Sequence, residues 1–318
     1  MNIPVLILAF NRPKETNILI EKLKKIKPSK LYVGQDGPRE DSKDDKKLCD
    51  DVQKIFENIS WNCTIKKKLN KKNLGCRESV STAINWFFEN EEKGIILEDD
   101  CIPSNSFFKF CQKMLVKYEK SNEVFVISGS NFQNNNFIGN GDYYFSKYAH
   151  CWGWATWKRA WKYFDNNMEF WNTLKNSTSW NNLHDNKLEN KYWKKIFDKV
   201  KEKKIDSWAY VWLASVWNYT GSTITPNKNL ILNIGFNKNA TNTINSSELK
   251  ENNFEFSELD SEIKDPYDKM INKKADEFVF NNHFNGKFNF WPWRIFYILK
   301  ILLNDPKTFW LRLKKNAK

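Results

Sequence analysis

Short apolar runs alternate with segments of helical period through the first 130 residues, and each run closes on a turn. Residues 3–10 are apolar and stop at Asn11-Arg12-Pro13. Residues 14–26 then place Ile18, Leu19, Leu23 and Ile26 on one face, with lysines outside. Leu31-Tyr32-Val33-Gly34 ends in Gln35-Asp36-Gly37-Pro38, and a polar helical segment follows over 45–58. The same rhythm predicts strands at 63–67, 94–97 and 124–128, with helices at 78–89 and 107–118. A continuous apolar run too short for a helix reads as a strand buried on both faces. Strand–helix alternation dictates a mostly parallel sheet with helices on both faces, the α/β class.

Beyond residue 130 the texture changes. Residues 131–140 are rich in Asn, 148–164 and 206–219 are dense in Trp, and 187–204 is a charged helical stretch. No linker interrupts the chain. The expected organisation is a first half at 1–130, a second half of the same domain at 131–245, and a basic, aromatic extension at 246–318.

Composition excludes several classes. The 51 Lys and Arg exceed the 38 Asp and Glu, for a net charge of +13, yet 16% of residues are aromatic. A disordered polycation is poor in such residues, so the charge sits on a folded protein. Nucleic acid, an anionic membrane and phosphorylated ligands are the partners such a charge suits; no motif of the usual nucleic-acid modules is present. Six scattered cysteines (49, 63, 76, 101, 111, 151) form no CxxC pair, and three histidines (150, 184, 283) are too few for a His-rich metal site. His150 reads as loop structure. No run reaches the roughly 18 apolar residues of a membrane span. The N-terminal run lacks the basic lead-in of a signal peptide, which sets the expectation of a cytoplasmic protein with reduced thiols.

The chemistry concentrates in Glu98-Asp99-Asp100, which caps the hydrophobic run Gly94-Ile95-Ile96-Leu97. Ligands of open α/β sheets bind beyond such strand ends. Crowded carboxylates repel one another unless a cation neutralises them, and Mg²⁺ or Mn²⁺ prefers carboxylate plus phosphate oxygen. Strand alternation points Glu98 and Asp100 one way and Asp99 the other, so one acid can take a metal while another takes a sugar hydroxyl. Asn73-Leu74-Gly75-Cys76-Arg77 opens a helix, and a Gly-containing loop at a helix N-terminus suits a diphosphate. The lysines around 66–72 are expected near it.

These segments, in this order, resemble the GT-A class of nucleotide-sugar glycosyltransferases, and within it N-acetylglucosaminyltransferase I and its bacterial relatives, over residues 1 to about 245. Residues 4–13 are similar to that family's first strand, with Arg12 at its nucleobase-contacting position. Gln35-Asp36-Gly37 resembles the turn whose aspartate contacts uracil. Leu97-Glu98-Asp99-Asp100, with Pro103 and Phe107-Phe108, resembles its DxD-like metal motif, and Asp100 falls on the metal ligand. The resemblance implies donor binding by Arg12, Asp36, Asn73, Gly75, Arg77, Glu98 and Asp99.

Residues 148–157 resemble the aromatic Gly-Trp loop on the acceptor side. There the resemblance makes Trp152, Gly153, Trp154 and Trp208 acceptor-side residues, against the plain alternative that most Trp pack in a core. Asp206-Ser207-Trp208-Ala209-Tyr210-Val211-Trp212 resembles the family segment that carries the general base, and the base position is Ala209. Alanine cannot remove a proton. Three readings stand: the aspartate was exchanged to hold a complex, Asp206 has taken over, or the chain is a non-catalytic member. A segment ending Ala-Thr-His-Thr in the family has Asn242 at the His position.

Residues 291–318 carry seven Lys or Arg against one Asp, a net +6, interleaved with six aromatic rings. Basic, aromatic amphipathic segments suit an anionic membrane interface; a helix packed on the core is the alternative. The resemblance thus implies a metal-dependent inverting transferase, using a UDP-sugar with Mn²⁺ or Mg²⁺, in bacterial surface-polysaccharide or lipid-linked oligosaccharide assembly. The alternatives are a sugar-phosphate nucleotidyltransferase, which the loop Asn11-Arg12-Pro13 disfavours because that class carries a Gly-rich loop there, and a glycan-binding protein.

Overall fold

The computed structural model describes residues 2–235, 256–260 and 262–304. The α/β class holds: a mostly parallel central sheet is flanked by helices. Its strands are β1 (Val5–Ala9), β2 (Lys30–Gln35), β3 (Thr64–Leu69), β4 (Lys93–Glu98), β6 (Val124–Ser128), β7 (Tyr143–Ser146), β8 (Trp154–Trp157) and β9 (Ser222–Pro226). They lie in the order β3-β2-β1-β4-β8-β6-β9-β7. β3, β2, β1 and β4 are mutually parallel, as are β6 and β9. β8 runs antiparallel between β4 and β6, and β7 antiparallel at the edge. A small ribbon pairs β5 (Cys101–Pro103) with β10 (Ile231–Asn233).

The chain leaves β1 toward β2 and β3, then returns to β4 on the other side of β1. The gap beyond the C-terminal ends of β1 and β4 is therefore a topological switch point.

Both faces of the sheet are covered at its centre, which is why β1, β4 and β6 are apolar runs rather than alternating, while the edge strand β3 carries Lys66, Lys67 and Lys68. Val5 and Ile7 face the helices Pro13–Ile26 and Asn105–Lys117, with Leu19, Leu23, Phe107 and Met114. Leu6 and Leu8 face the helix Cys76–Asn90 and a tryptophan-rich layer holding Trp154, Trp193, Trp212 and Trp217. The helix Trp208–Asn218 belongs to that layer; Ser207 caps it by accepting from the Tyr210 amide at 3.4 Å. All six cysteines are free.

The expected boundary at 246 does not mark the end of the packed body. Leu259 and Ile263 join the core, and Glu258 accepts from the Asn105 and Ser106 amides at 2.8 and 2.6 Å, so it caps the helix Asn105–Lys117. The helix Lys273–Asn282 buries Ala275, Asp276, Val279 and Phe280. The last described helix is Trp293–Asn304. It exposes Ile295, Phe296, Leu299, Leu302 and Leu303.

Candidate active site

A cavity of about 680 Å³ opens at the switch point and runs toward the tryptophan layer. Its floor is built by backbone geometry. The Asp99 amide donates to the Leu8 carbonyl at 2.9 Å, and the Phe10 amide donates to Asp99 Oδ2 at 3.1 Å, so the ends of β1 and β4 are stitched together. Arg12 follows directly. Its guanidinium donates to Asp99 Oδ1 at 3.4 Å and to Asp100 Oδ2. Burial, Asp100 and Asp99 push the Glu98 carboxyl above its ordinary range, and Arg12 and the Trp208 side chain partly offset them. Burial and Asp100 likewise raise Asp99. Crowding and burial thus make these carboxyls hold protons unless a cation neutralises them, and Arg12 only partly does so.

Glu98 and Asp100 bring carboxylate oxygens within 4.8 Å of each other and of the Cys101 sulfur. Burial holds the Cys101 thiol well above its usual range, so it stays protonated and sits 3.6 Å from Asp100 Oδ1. The donor set is two carboxylates and a neutral thiol. That fits a hard cation such as Mn²⁺ or Mg²⁺, which takes one or two carboxylates and leaves positions for phosphate and water. Backbone 233–235 closes over this point: the Ile234 amide donates to the Asp100 carbonyl at 2.9 Å, and a Cβ at Gly235 would collide with the Asp100 carboxylate.

Asp36 lines the cavity at 7% exposure, and its carboxylate is heavily used. It accepts from the Gly37 amide (2.9 Å), the Leu74 amide (3.0 Å), Asn73 Nδ2 (2.9 Å) and Asn70 Nδ2 (3.2 Å). It therefore shapes the 70–75 loop. Asn73 also donates to the Gly37 carbonyl at 3.0 Å. Gly75 precedes the helix at φ +81°, a left-handed conformation that favours glycine.

Several expectations are corrected. Arg77 is turned away from the cavity. Its guanidinium donates to Asn166 Oδ1 at 2.9 Å, to the Val200 carbonyl at 2.9 Å and to the Asn166 carbonyl, so it ties the helix Cys76–Asn90 to the second half. Trp154 is no sugar platform. It lies in β8 at 0% exposure, stacked on Trp208 with centroids 5.7 Å apart. Gly153 is buried at φ +59°, and a Cβ there would strike Ile231. The lysines at 66–68 lie on β3 at the sheet edge, and none at 66–72 lines the cavity. Asn242 lies outside the described residues, as does the tail beyond Asn304.

Arg12, Asp36, Asn73, Gly75, Glu98, Asp99, Asp100, Trp152, Asp206, Trp208 and Ala209 do line one cavity. Ala209 occupies the second position of the helix Trp208–Asn218. Asp206 Oδ1 accepts from the Arg77 amide at 3.3 Å, so its carboxylate sits at the N-terminus of the helix Cys76–Asn90. Phe132, His150, His283, Phe284 and Arg39 also line the cavity. Sequence reasoning missed these because they are brought in from separate segments by tertiary packing alone. Arg39 pairs with Asp45, its Nε 2.6 Å from Oδ2.

No family model and no curated protein matches the chain. Solved structures match weakly. The mannosyltransferase PcManGT from Pyrobaculum calidifontis, in complex with GDP-Man and Mn²⁺, is 12% identical at TM-score 0.31, over 49% of this chain and 45% of that one. The 4-diphosphocytidyl-2C-methyl-D-erythritol synthase from Anaerococcus prevotii DSM 20548 is 9% identical at 0.36, over 89% and 98%. HddC from Yersinia pseudotuberculosis is 11% identical at 0.30, over 49% and 77%. Likenesses this slight carry no argument about chemistry. The fold statement rests on the sheet itself, and the chain is an α/β protein with a mostly parallel central sheet flanked by helices.

Proposed function

We propose that this chain is built as a metal-dependent inverting glycosyltransferase. Its donor is a nucleotide sugar, a UDP-sugar by the resemblance of its first two strands, and its acceptor is a glycan or lipid-linked glycan of bacterial surface-polysaccharide assembly. The observation that carries this reading is the meeting of Arg12 with Asp99 and Asp100 across the β1/β4 switch point, inside a cavity large enough for a small ligand. Glu98 and Asp100 would hold the cation. When bound, such an ion supplies charge neutralisation for a departing diphosphate. Asp36 and Asn73 hold the loop that borders the donor end, and Arg12 offers the positive group nearest the acids.

The acceptor hydroxyl must lose a proton, and Ala209 stands where the family places its base. Asp206 is engaged at a helix N-terminus, which favours an exchanged base over a takeover. An aspartate at 209 would sit in the first turn of its helix, where a negative charge is welcome. Ala209→Asp should therefore raise transfer by about 10²–10⁴-fold, the usual worth of a positioned base. No gain across a nucleotide-sugar panel would sink the exchanged-base reading. The binding test is UDP titration with and without Mn²⁺. Metal-dependent binding supports the transferase. Pyrophosphate release from a nucleoside triphosphate would instead identify nucleotidyl transfer, and glycan binding without any nucleotide binding would identify a glycan-binding protein.

The location of the work follows from the last helix. Counting about 100° per residue, Ile295, Phe296, Leu299, Leu302 and Leu303 fall on one stripe, and all are exposed. Trp291 and Trp293 stand at one end and also face solvent. With the net +6 of residues 291–318, the occupant that fits is an anionic bilayer, on which the helix would lie in plane. Among the described residues no helix is long and apolar enough to cross a membrane. The proposed setting is peripheral, on the cytoplasmic face.

A further inference from the structure

Part of the cavity is walled by rings from three separate segments. Phe132 comes from the turn after β6, His150 and Trp152 from the stretch before β8, and His283 and Phe284 from the end of the helix Lys273–Asn282. They form one connected cluster. His283 stacks on Phe132 with centroids 3.8 Å apart, while His150 and Trp152 meet Phe132 edge-on at 4.4 and 5.4 Å. Phe284 adjoins His283 at 4.7 Å. Trp193 lies beneath Phe284 and also beneath Tyr210, at 4.9 and 5.9 Å. The wall and the helix that carries Ala209 therefore share one support.

The charge around this wall is one-sided. Among the described residues, the cations lining the cavity are Arg12 and Arg39, and both are committed to carboxylates of the donor side. The lining carboxylates are Asp36, Glu98, Asp99, Asp100 and Asp206. Burial holds His150 well below the usual histidine range and His283 down to about 4, so both rings are neutral at physiological pH. A phosphorylated or carboxylated sugar brought here would meet acids and no available cation. An uncharged pyranose presents apolar C–H faces that match aromatic rings, and a neutral imidazole combines a ring face with polar nitrogens suited to hydroxyls.

We propose that Phe132, His150, Trp152, His283 and Phe284 form the acceptor subsite and that it takes an uncharged glycosyl ring. This rests on the glycosyltransferase reading for the word acceptor, but the ring selectivity stands on the wall alone.

The test is saturation-transfer NMR on the full chain. The probes are methyl glycosides of glucose, galactose and N-acetylglucosamine, set against methyl glucuronide and glucose 6-phosphate. At least one uncharged glycoside should saturate, with the charged probes at least five-fold weaker. His283→Ala should cut the signal about five-fold or more, and His283→Phe, which keeps the ring, should restore most of it. Circular dichroism checks that each variant is folded, and Phe284→Leu repeats the test from a second residue if His283→Ala is not. Equal saturation by the charged probes overturns the proposal, as does saturation by none of the uncharged ones or indifference to folded ring-deleting variants. UDP titration with Mn²⁺ in the same samples separates the two levels. Metal-dependent UDP binding without glycoside saturation sinks only the subsite. Glycoside saturation without UDP binding leaves the subsite standing and sinks the transferase.

Discussion

Exchanging Asp36 for asparagine tests whether this carboxylate is scaffold or ligand contact. It accepts four hydrogen bonds of 2.9–3.2 Å at 7% exposure, from two amides and two asparagine side chains. Asparagine keeps one oxygen, which can still serve the donors on Oδ1, the amides of Gly37 and Leu74 and Asn70 Nδ2. Its new amino group then faces Asn73 Nδ2, donor against donor. Losing one hydrogen bond to a charged group costs about 1.5–3 kcal/mol, and the other three weaken with the charge. Asp36→Asn should therefore destabilise the fold by about 2–4 kcal/mol. Asn73→Ala should cost about 2–3 kcal/mol, because it removes the bond to Asp36 and the 3.0 Å bond to the Gly37 carbonyl. The double variant should cost less than the sum, with a coupling energy of about 1–2 kcal/mol. Urea unfolding followed by tryptophan fluorescence reads all three. Nucleotide affinity should fall in parallel, since the 70–75 loop borders the proposed donor end. A variant within 0.5 kcal/mol of the parent chain that nevertheless loses UDP binding would refute the scaffold argument and return Asp36 to direct ligand contact.

Three further outcomes follow from other parts of the molecule. Trp154→Ala should destabilise by about 3–5 kcal/mol, because the ring is wholly buried and stacked on Trp208; an unchanged urea midpoint would show the ring is not core. Asp276 is buried, its carboxyl pushed up to about 7 by desolvation, while an unfolded aspartate titrates near 4. The folded chain then holds a proton that the unfolded chain has lost, so this group's stabilisation is full below pH 4 and is lost as pH rises through 7. Asp276→Asn should flatten the decline in stability between pH 5 and 7; parallel pH profiles for both proteins would contradict it. Phe296→Glu with Leu299→Glu should abolish sedimentation with vesicles containing phosphatidylglycerol and leave UDP binding intact. Undiminished sedimentation would end the membrane assignment of the last helix.

The first half of the chain was legible because its signals are local. Each predicted strand and helix of residues 1–130 lies within a few residues of the observed one, since buried runs and helical faces are written in consecutive residues. The acids at 98–100 were legible for the same reason: a hydrophobic strand that ends in three carboxylates marks its own C-terminus. The second half misled where burial decides. Trp152 and Trp154 are two residues apart and chemically identical, yet one lines the cavity and the other is a β8 core ring. Nothing local separates them, because β8 enters the sheet antiparallel between β4 and β6, a pairing between distant segments. Arg77 misled likewise. Its position at a helix start suggested an anion site, and the acceptors that claim it, Asn166 and the Val200 carbonyl, lie about 90 and 120 residues away.

By itself, then, the sequence determined the α/β class, the strand ends that border the cavity, and the acids that gather there, because hydrophobic period and charge crowding act over a few residues. The tertiary structure alone decided which tryptophans are walls and which are core, that Arg12 closes on Asp99 and Asp100, and that His283 and Phe284 complete the cavity. Those outcomes depend on contacts between separate segments, from Ser128 beside Trp154 to Phe132 beside His283, whose geometry is set only once the sheet and its two layers have packed.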